Sequence, residues 1–251
     1  MKYTIESFDL VESTNTLLME RAACGAPEGS VIVAKSQSAG KGRSGRTFFS
    51  PGGNLYMSLL IRPGRKIEQM KTLTPMIAVC VLEAVKEVLG TELCIKWVND
   101  LIYREKKVCG ILVETKLAPD RSVSHAVIGI GVNVFSQEVP DELKDICGFL
   151  LDEPAAREGE EAAAAQEKTI GRLVEKILER FAFYYERFDE KAYMDVYKNA
   201  SIVTGRRLTY LAGLKEETLE VLSITDDGEL VAKDCKGRIR IYHDGEISIR
   251  L

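Results

Sequence analysis

Residues 37–54 read Q-S-A-G-K-G-R-S-G-R-T-F-F-S-P-G-G-N, and the meaning of this stretch decides how the other residues of the 251-residue chain are understood. Gly40, Gly42 and Gly45 alternate with Lys41, Arg43 and Arg46. Glycine lets the backbone take positive φ and lie close against a ligand. Three cations on one short loop repel each other and need anionic company. Arginine forks and backbone N–H groups suit the oxygens of a phosphate or a carboxylate. Two nucleotide-loop readings fail. Gly40 to Gly45 is formally G-x-G-x-x-G and follows a strand expected at 30–34. That fingerprint must open a helix and be followed about 20 residues later by an acid. Thr47-Phe48-Phe49-Ser50-Pro51-Gly52-Gly53 cannot form first helical turns, and the next strand, 55–61, runs into Arg62. A Walker loop fails because Lys35 stands where its first glycine belongs and Gly42 follows Lys41. By itself, a solvated basic turn explains the stretch as well as a ligand loop does.

Composition narrows the classes. A hydrophobic content of 45% can supply a core for one domain plus a small second one. A net charge of −4 argues against general nucleic-acid binding, so the loop cations are a local feature. The six cysteines form no C-x-x-C pair and have mostly aliphatic neighbours, which predicts reduced core residues of a cytoplasmic protein. His125 and His243 are the only histidines and lie far apart in sequence, so neither a zinc site nor a histidine-based triad is expected. No apolar run reaches the ~18 residues of a membrane span, and no signal peptide is expected.

Three further blocks carry chemistry. Ser13-Thr14-Asn15 precedes an apolar helical period at Leu17, Leu18 and Ala22. Capping needs one of the three, which leaves two polar side chains for a ligand. Lys96-Trp97-Val98-Asn99-Asp100 leads through a turn at 104–107 into Val108-Cys109-Gly110-Ile111-Leu112-Val113-Glu114, a predicted hairpin with Lys107 at the base of its return strand. A glycine inside an apolar strand, as at Gly110, weakens it unless something approaches the backbone. The strand 124–134 places Gly129, Gly131 and Asn133 on one face of the pleat. A strip without side chains ending in an amide suits a flat adenine, and tight sheet packing is the plainer alternative. Helices are expected at 73–89, 170–188 and 190–198. The acidic, alanine-rich stretch 152–168 is expected to be an exposed or disordered insertion. Five short strands beyond Gly205, with turn signals at 226–228, 236–237 and 244–245, predict a small barrel.

Together, G-K-G-R-S-G-R, S-T-N, K-W-V-N-D with Lys107 seven residues on, and G-I-G-V-N resemble the biotin protein ligases over nearly the whole chain. Val98 stands in place of the family's usual proline and Phe48 in place of a frequent tryptophan. The resemblance implies an α+β fold. A mixed sheet with flanking helices, of the class II synthetase-like biotin–lipoate ligase type, would occupy 1–200. An SH3-like β-barrel would follow at 201–251 and end in the family's tail, here Gly245-Glu246-Ile247-Ser248-Ile249-Arg250. It also implies a reaction in which biotin and ATP, with Mg2+, form biotinyl-5′-AMP, and a carrier lysine then displaces AMP. Ser13, Thr14 and Asn15 would line the biotin pocket, and Gln37 would pair with ligand polar atoms at its entrance. Gly40, Lys41, Gly42, Arg43 and Arg46 would meet the anionic groups, and Phe48 would shield adenine. Asn99, Gly110 and Lys107 would complete that site, with Lys107 on the carboxylate and phosphate. Gly129, Gly131 and Asn133 would take the adenine. Asp100 would steer the incoming lysine ammonium and take its proton in the second step, or form a structural salt bridge to Lys96. The implied partner is the biotin carrier domain of acetyl-CoA carboxylase or a related carboxylase. Relatives pairing through an open sheet edge imply a homodimer. The S-T-N triplet at residue 13 leaves no room for the winged helix of regulatory members, so no DNA binding is expected. A lipoate or octanoate ligase and a non-catalytic biotin-binding protein are the rival readings.

Overall fold

Leu55–Ile61 is apolar except for Ser58, and every one of its residues is buried. A strand covered on both faces belongs at the centre of a sheet between two layers. In the computed structural model, which describes residues 1–154, 160–212, 215–243 and 248–250, that is where it lies. The elements in chain order are β1 (Thr4–Val11), α1 (Thr14–Ala23), β2 (Ser30–Gln37), β3 (Leu55–Ile61), α2 (Leu73–Leu89), β4 (Cys94–Lys96), β5 (Asp100–Tyr103), β6 (Lys106–Leu117) and β7 (Val123–Val132). They continue with β8 (Phe135–Ser136), β9 (Leu151–Pro154), α3 (Glu160–Glu186), α4 (Tyr193–Ala200), β10 (Arg207–Ala212), β11 (Lys215–Ile224), β12 (Leu230–Asp234), β13 (Ile239–Tyr242) and β14 (Ser248–Arg250).

A seven-stranded sheet runs β1-β2-β3-β7-β6-β5-β4. The β1–β2 pair is parallel and the other pairs are antiparallel. Because successive strand residues point to opposite faces, β3 serves both layers. Leu60 meets Leu18 and Ala22 of α1 on one side, while Leu59 joins the large cluster containing Met76, Val81 and Phe181 of α2 and α3 on the other. The helix α2 keeps the predicted bounds and stops at Gly90, whose φ of 68° is the left-handed cap that glycine supplies without strain.

Two expectations are corrected. Of residues 152–168, expected to be an exposed or disordered insertion, 152–154 belong to β9 and 160–168 form the first turns of α3, where the described side chains are mostly exposed; 155–159 lie outside the described residues. Alanine carries the highest helix propensity, and a helix already nucleated on Leu173, Ile177 and Phe181 extends back through such a run at little cost. Gln166 and Glu167 secure this extension through the Pro154 carbonyl (2.8 Å) and Lys35 (2.8 Å). The cysteines are all free, but only Cys80 and Cys109 belong to the core. Cys24 caps α1, Cys94 opens the edge strand β4 and Cys235 follows β12; all three are exposed. Aliphatic neighbours in sequence do not bury a residue at an element's end.

The C-terminal part is a five-stranded antiparallel sheet ordered β13-β12-β11-β10-β14. Its predicted turns fall at Gly228 and Gly237, both with positive φ. The turn expected at 244–245 and the tail as far as 247 lie outside the described residues. The β11–β12 turn rests on the back of the K-W-V-N-D segment. Trp97 Nε1 donates to the Gly228 carbonyl (2.9 Å), and Tyr197 Oη donates to the Val98 carbonyl (2.9 Å).

Candidate functional site

The glycine loop is closed by its own backbone. Gln37 N–H donates to the Ser50 carbonyl (3.0 Å), Phe48 N–H to Gly40 (2.8 Å) and Gly42 N–H to Arg46 (2.7 Å). This ladder leaves Arg43, Ser44 and Gly45 at the tip. Ser44 and Gly45 both take positive φ, 55° and 74°, so only the last glycine of the run is needed for a left-handed turn. Gly40 is there for a different reason. A Cβ on it would stand 2.5 Å from the Phe48 carbonyl oxygen and from Ser50 Oγ.

From the opposite side comes the β5–β6 hairpin. Asn99 is fixed by Ile111 in both directions: its Nδ2 donates to the Ile111 carbonyl (2.8 Å), and its own carbonyl accepts the Ile111 N–H (3.1 Å). That leaves Asn99 Oδ1 to accept from Arg43 Nη1 (3.0 Å), which holds the guanidinium over the hairpin. Lys107 Nζ forms an ion pair with Asp100 Oδ1 at 2.7 Å and lies 5.6 Å from the centre of the Phe48 ring. Asp100 therefore pairs with Lys107 rather than Lys96. Lys96 is a half-buried cation that the sequence did not place in the site. Burial pulls its pKa below the ordinary value, Lys107 and Arg46 reinforce this, and Asp100 opposes it.

The S-T-N triplet forms the third wall, and all three residues are buried. Ser13 caps α1 by accepting from Thr16 N–H. Thr14 N–H donates to Gln37 Oε1 (2.8 Å), and Gln37 Nε2 donates to Ser50 Oγ (2.8 Å). Asn15 Nδ2 donates to Glu114 Oε2 (2.8 Å). Ser58, fully buried on β3, donates to Asn15 Oδ1 (2.6 Å) and lies 2.8 Å from Thr14 Oγ1. Ser58, Ser50 and Glu114 thus belong to the site without having been singled out. The available signal was Ser58 itself, a hydroxyl in an otherwise apolar central strand. Ser58→Ala strips a buried donor from this network and should cost about 1–3 kcal/mol of stability. Urea unfolding reads this directly, and an unchanged midpoint would contradict it.

The strip of glycines is covered by protein side chains. Gly129 lies against the Asn15 carboxamide, whose oxygen any Cβ there would overlap. A Cβ at Gly131 would stand 2.6 Å from the Phe48 ring, and one at Gly110 2.8 Å from it. The strip was expected to serve adenine, with tight packing as the plainer alternative. Here two side chains from segments far away in sequence, Asn15 and Phe48, lie against it. One small cavity of about 50 Å³ brings together Ser13, Asn15, Gln37, Lys41, Gly42, Arg43, Phe48, Asn99, Lys107, Gly110, Gly129 and Gly131. Of the remaining candidates, Thr14, Gly40 and Asp100 stand just behind this lining, each touching a residue in it. Arg46 sits exposed at the end of the loop ladder, and Asn133 packs beyond Gly131 against Gly148.

Residues 7–133, half of the chain, match the Biotin/lipoate A/B protein ligase family, and the chain belongs to that family. It is 43% identical over 145 residues to the bifunctional ligase/repressor BirA of Bacillus subtilis, a match covering 57% of this chain and 44% of that protein. It is 33% identical over 125 residues to the biotin–[acetyl-CoA-carboxylase] ligase of Paracoccus denitrificans, covering 49% and 51% respectively. The chain thus spans about half the length of these curated relatives. Among solved structures, the biotin protein ligase of Aquifex aeolicus in complex with biotin and ATP superposes with a TM-score of 0.76 at 26% identity, covering 98% of both chains.

Proposed function

We propose that the chain is a biotin protein ligase that joins biotin to ATP as biotinyl-5′-AMP and then passes the biotinyl group to a lysine of a carboxylase carrier domain. The observation that carries this reading is the meeting of Arg43 and Lys107, from opposite sides, beside a buried polar triplet in one cavity. The first step brings the biotin carboxylate against the α-phosphorus of ATP, and two anions repel. Cations held in place beforehand offset that repulsion without reorganising during the reaction. Arg43, fixed through Asn99, and Lys107, fixed through Asp100, are such cations; Lys41 and Arg46 add charge at the loop. Ser13, Asn15 and Gln37 line the cavity and offer polar contacts for the ring of biotin, with Thr14 behind them holding Gln37. Among the described residues no three His, Cys, Asp or Glu side chains come together as a metal cage. The residues present do not fit a protein-held magnesium, and magnesium would arrive on the ATP phosphates.

In the second step Asp100, ion-paired with Lys107, attracts the incoming lysine ammonium and takes its proton; the freed amine attacks the acyl carbon, the amide forms and AMP leaves. Asp100→Asn should slow transfer from preformed biotinyl-AMP more than tenfold; unchanged aminolysis would remove Asp100 from that role. We assign this chemistry to residues 1–200 and regard 201–251 as a separate small domain. Among the described residues no helix is long and apolar enough to cross a membrane. Incubation with biotin, ATP and an acetyl-CoA carboxylase carrier domain should raise the carrier's mass by one biotinyl group on a single lysine. A carrier of unchanged mass would contradict the proposal.

A further inference from the structure

Beside the packing of α3 on α2 there is a second face of α3 that meets no helix. Gln166, Ile170, Val174 and Leu178 follow one another at helical spacing and roof a groove of about 1030 Å³. Its floor includes Tyr3, Ile5 and Ser7 of β1 and Val33 of β2. Val33 lies on the α2–α3 side of the sheet, whereas the glycine strip meets Asn15 of α1 on the other side. The groove is therefore apart from the cavity described above. Gly171 stands on the same helix face, and a Cβ on it would meet no atom within 4 Å. Glycine inside a helix costs stability relative to alanine, and nothing within the chain packs closely enough to require it.

The groove is acidic as well as apolar. Among the described residues lining it, Asp9, Glu167, Glu175 and Glu179 stand against one cation, Lys35. Lys35 is already held by Asp9 (3.2 Å) and Glu167 (2.8 Å). Glu179 pairs along the helix with Lys176 (2.8 Å), and Glu175 has no partner among the described residues. The strand that borders the groove, β1, is the end strand of its sheet, so its outer side presents a row of unpaired N–H and C=O groups. Edge strands are usually blunted by lysine, proline or a bulge. T-I-E-S-F-D-L-V has none of these, and its only charges are Glu6 and Asp9. Ile5 is 49% exposed and Leu10 63%, and an odd spacing puts them on opposite faces of the strand.

We infer that the β1 edge and the groove under α3 form one docking site for an extended, basic segment of a partner protein, in which apolar residues alternate with lysine or arginine. A strand added to β1 satisfies its own backbone on the open edge. It also covers Ile5 and Leu10 together, which a small molecule lodged in the groove would not do. From Ala163 to Glu179 the helix rises about 24 Å, the length of about seven extended residues. The cations of the segment answer Glu175 and the other acids. A second copy of this chain would instead bring Glu6 and Asp9 to an edge that is already acidic, and like charges facing each other across strands repel. The site does not depend on the ligase reading.

The probe is the synthetic peptide acetyl-(Lys-Leu)4-amide, with acetyl-(Glu-Leu)4-amide as its charge-reversed control. Fluorescence anisotropy reads how tightly each binds the full chain, and hydrogen exchange reads where. The basic peptide should bind about tenfold or more tightly than the acidic one and slow exchange across residues 4–10. Gly171→Leu extends a side chain into the groove while raising helix propensity. It should abolish that protection without lowering the thermal midpoint. Glu175→Lys, at an exposed position, should weaken binding several-fold. Unchanged exchange at residues 4–10 under saturating peptide, equal affinity for the two peptides, or full binding by Gly171→Leu would each overturn the site. A chain that sediments as a dimer with residues 4–10 already protected would assign the edge to a second copy and overturn the proposal too.

Discussion

Lys107→Ala should reduce biotin-dependent pyrophosphate release by about 100- to 1000-fold, the loss seen when one fixed charge or donor is removed from a developing anion. Two effects add here. The cation that approaches the carboxylate and phosphate from the hairpin is lost. In addition, Asp100, which holds Lys107 at 2.7 Å, is left as an uncompensated and largely enclosed carboxylate beside two anionic substrates. The second effect makes a distinctive forecast. Adding Asp100→Asn to Lys107→Ala removes the stranded charge and should recover part of the lost rate, so the two changes will not add. Single-turnover measurement of all three variants decides it. If the double variant is as slow as the product of the two single defects, the ion pair is not a functional unit.

Arg43→Ala should lose a similar factor, about 100- to 1000-fold, and Arg43→Lys should recover little of it. The guanidinium gives an N–H to Asn99, and its planar fork of donors suits bidentate contact with ligand oxygens. A lysine ammonium is a point charge that cannot do both in the same geometry. Asn99→Ala removes the tether together with the Nδ2 bond to the Ile111 carbonyl, and should produce a smaller loss, concentrated in KM for ATP. If Arg43→Lys were fully active, the fork would be irrelevant and Arg43 would be acting as a charge alone.

Which parts of this arrangement the sequence disclosed follows from physical range. Motif residues close in sequence were legible. The glycine loop, the S-T-N cap and the Asn99–Lys107 hairpin each depend on local backbone geometry, and each turned up with its neighbours where expected. What joins them was not legible, because it depends on register between distant strands. Ser58 reaches Asn15 across 43 positions, and Phe48 covers Gly110 and Gly131 from a different segment altogether. The same reasoning explains the misplaced ion pair. Lys96 and Asp100 face each other in the β4–β5 register, yet Asp100 bends to the residue arriving on β6. Low hydrophobicity at 152–168 suggested an exposed or disordered stretch; 160–168 are indeed largely exposed, but next to an anchored helix alanine propensity made them helical.

In the proposed reaction this cavity activates biotin. The most direct measurement is pyrophosphate release from ATP with biotin and, in parallel, with lipoate, without any carrier protein. Release with biotin alone is the predicted result. Release with lipoate and not biotin would place the activity in the lipoate branch of the family, and silence with both would contradict an adenylating site altogether.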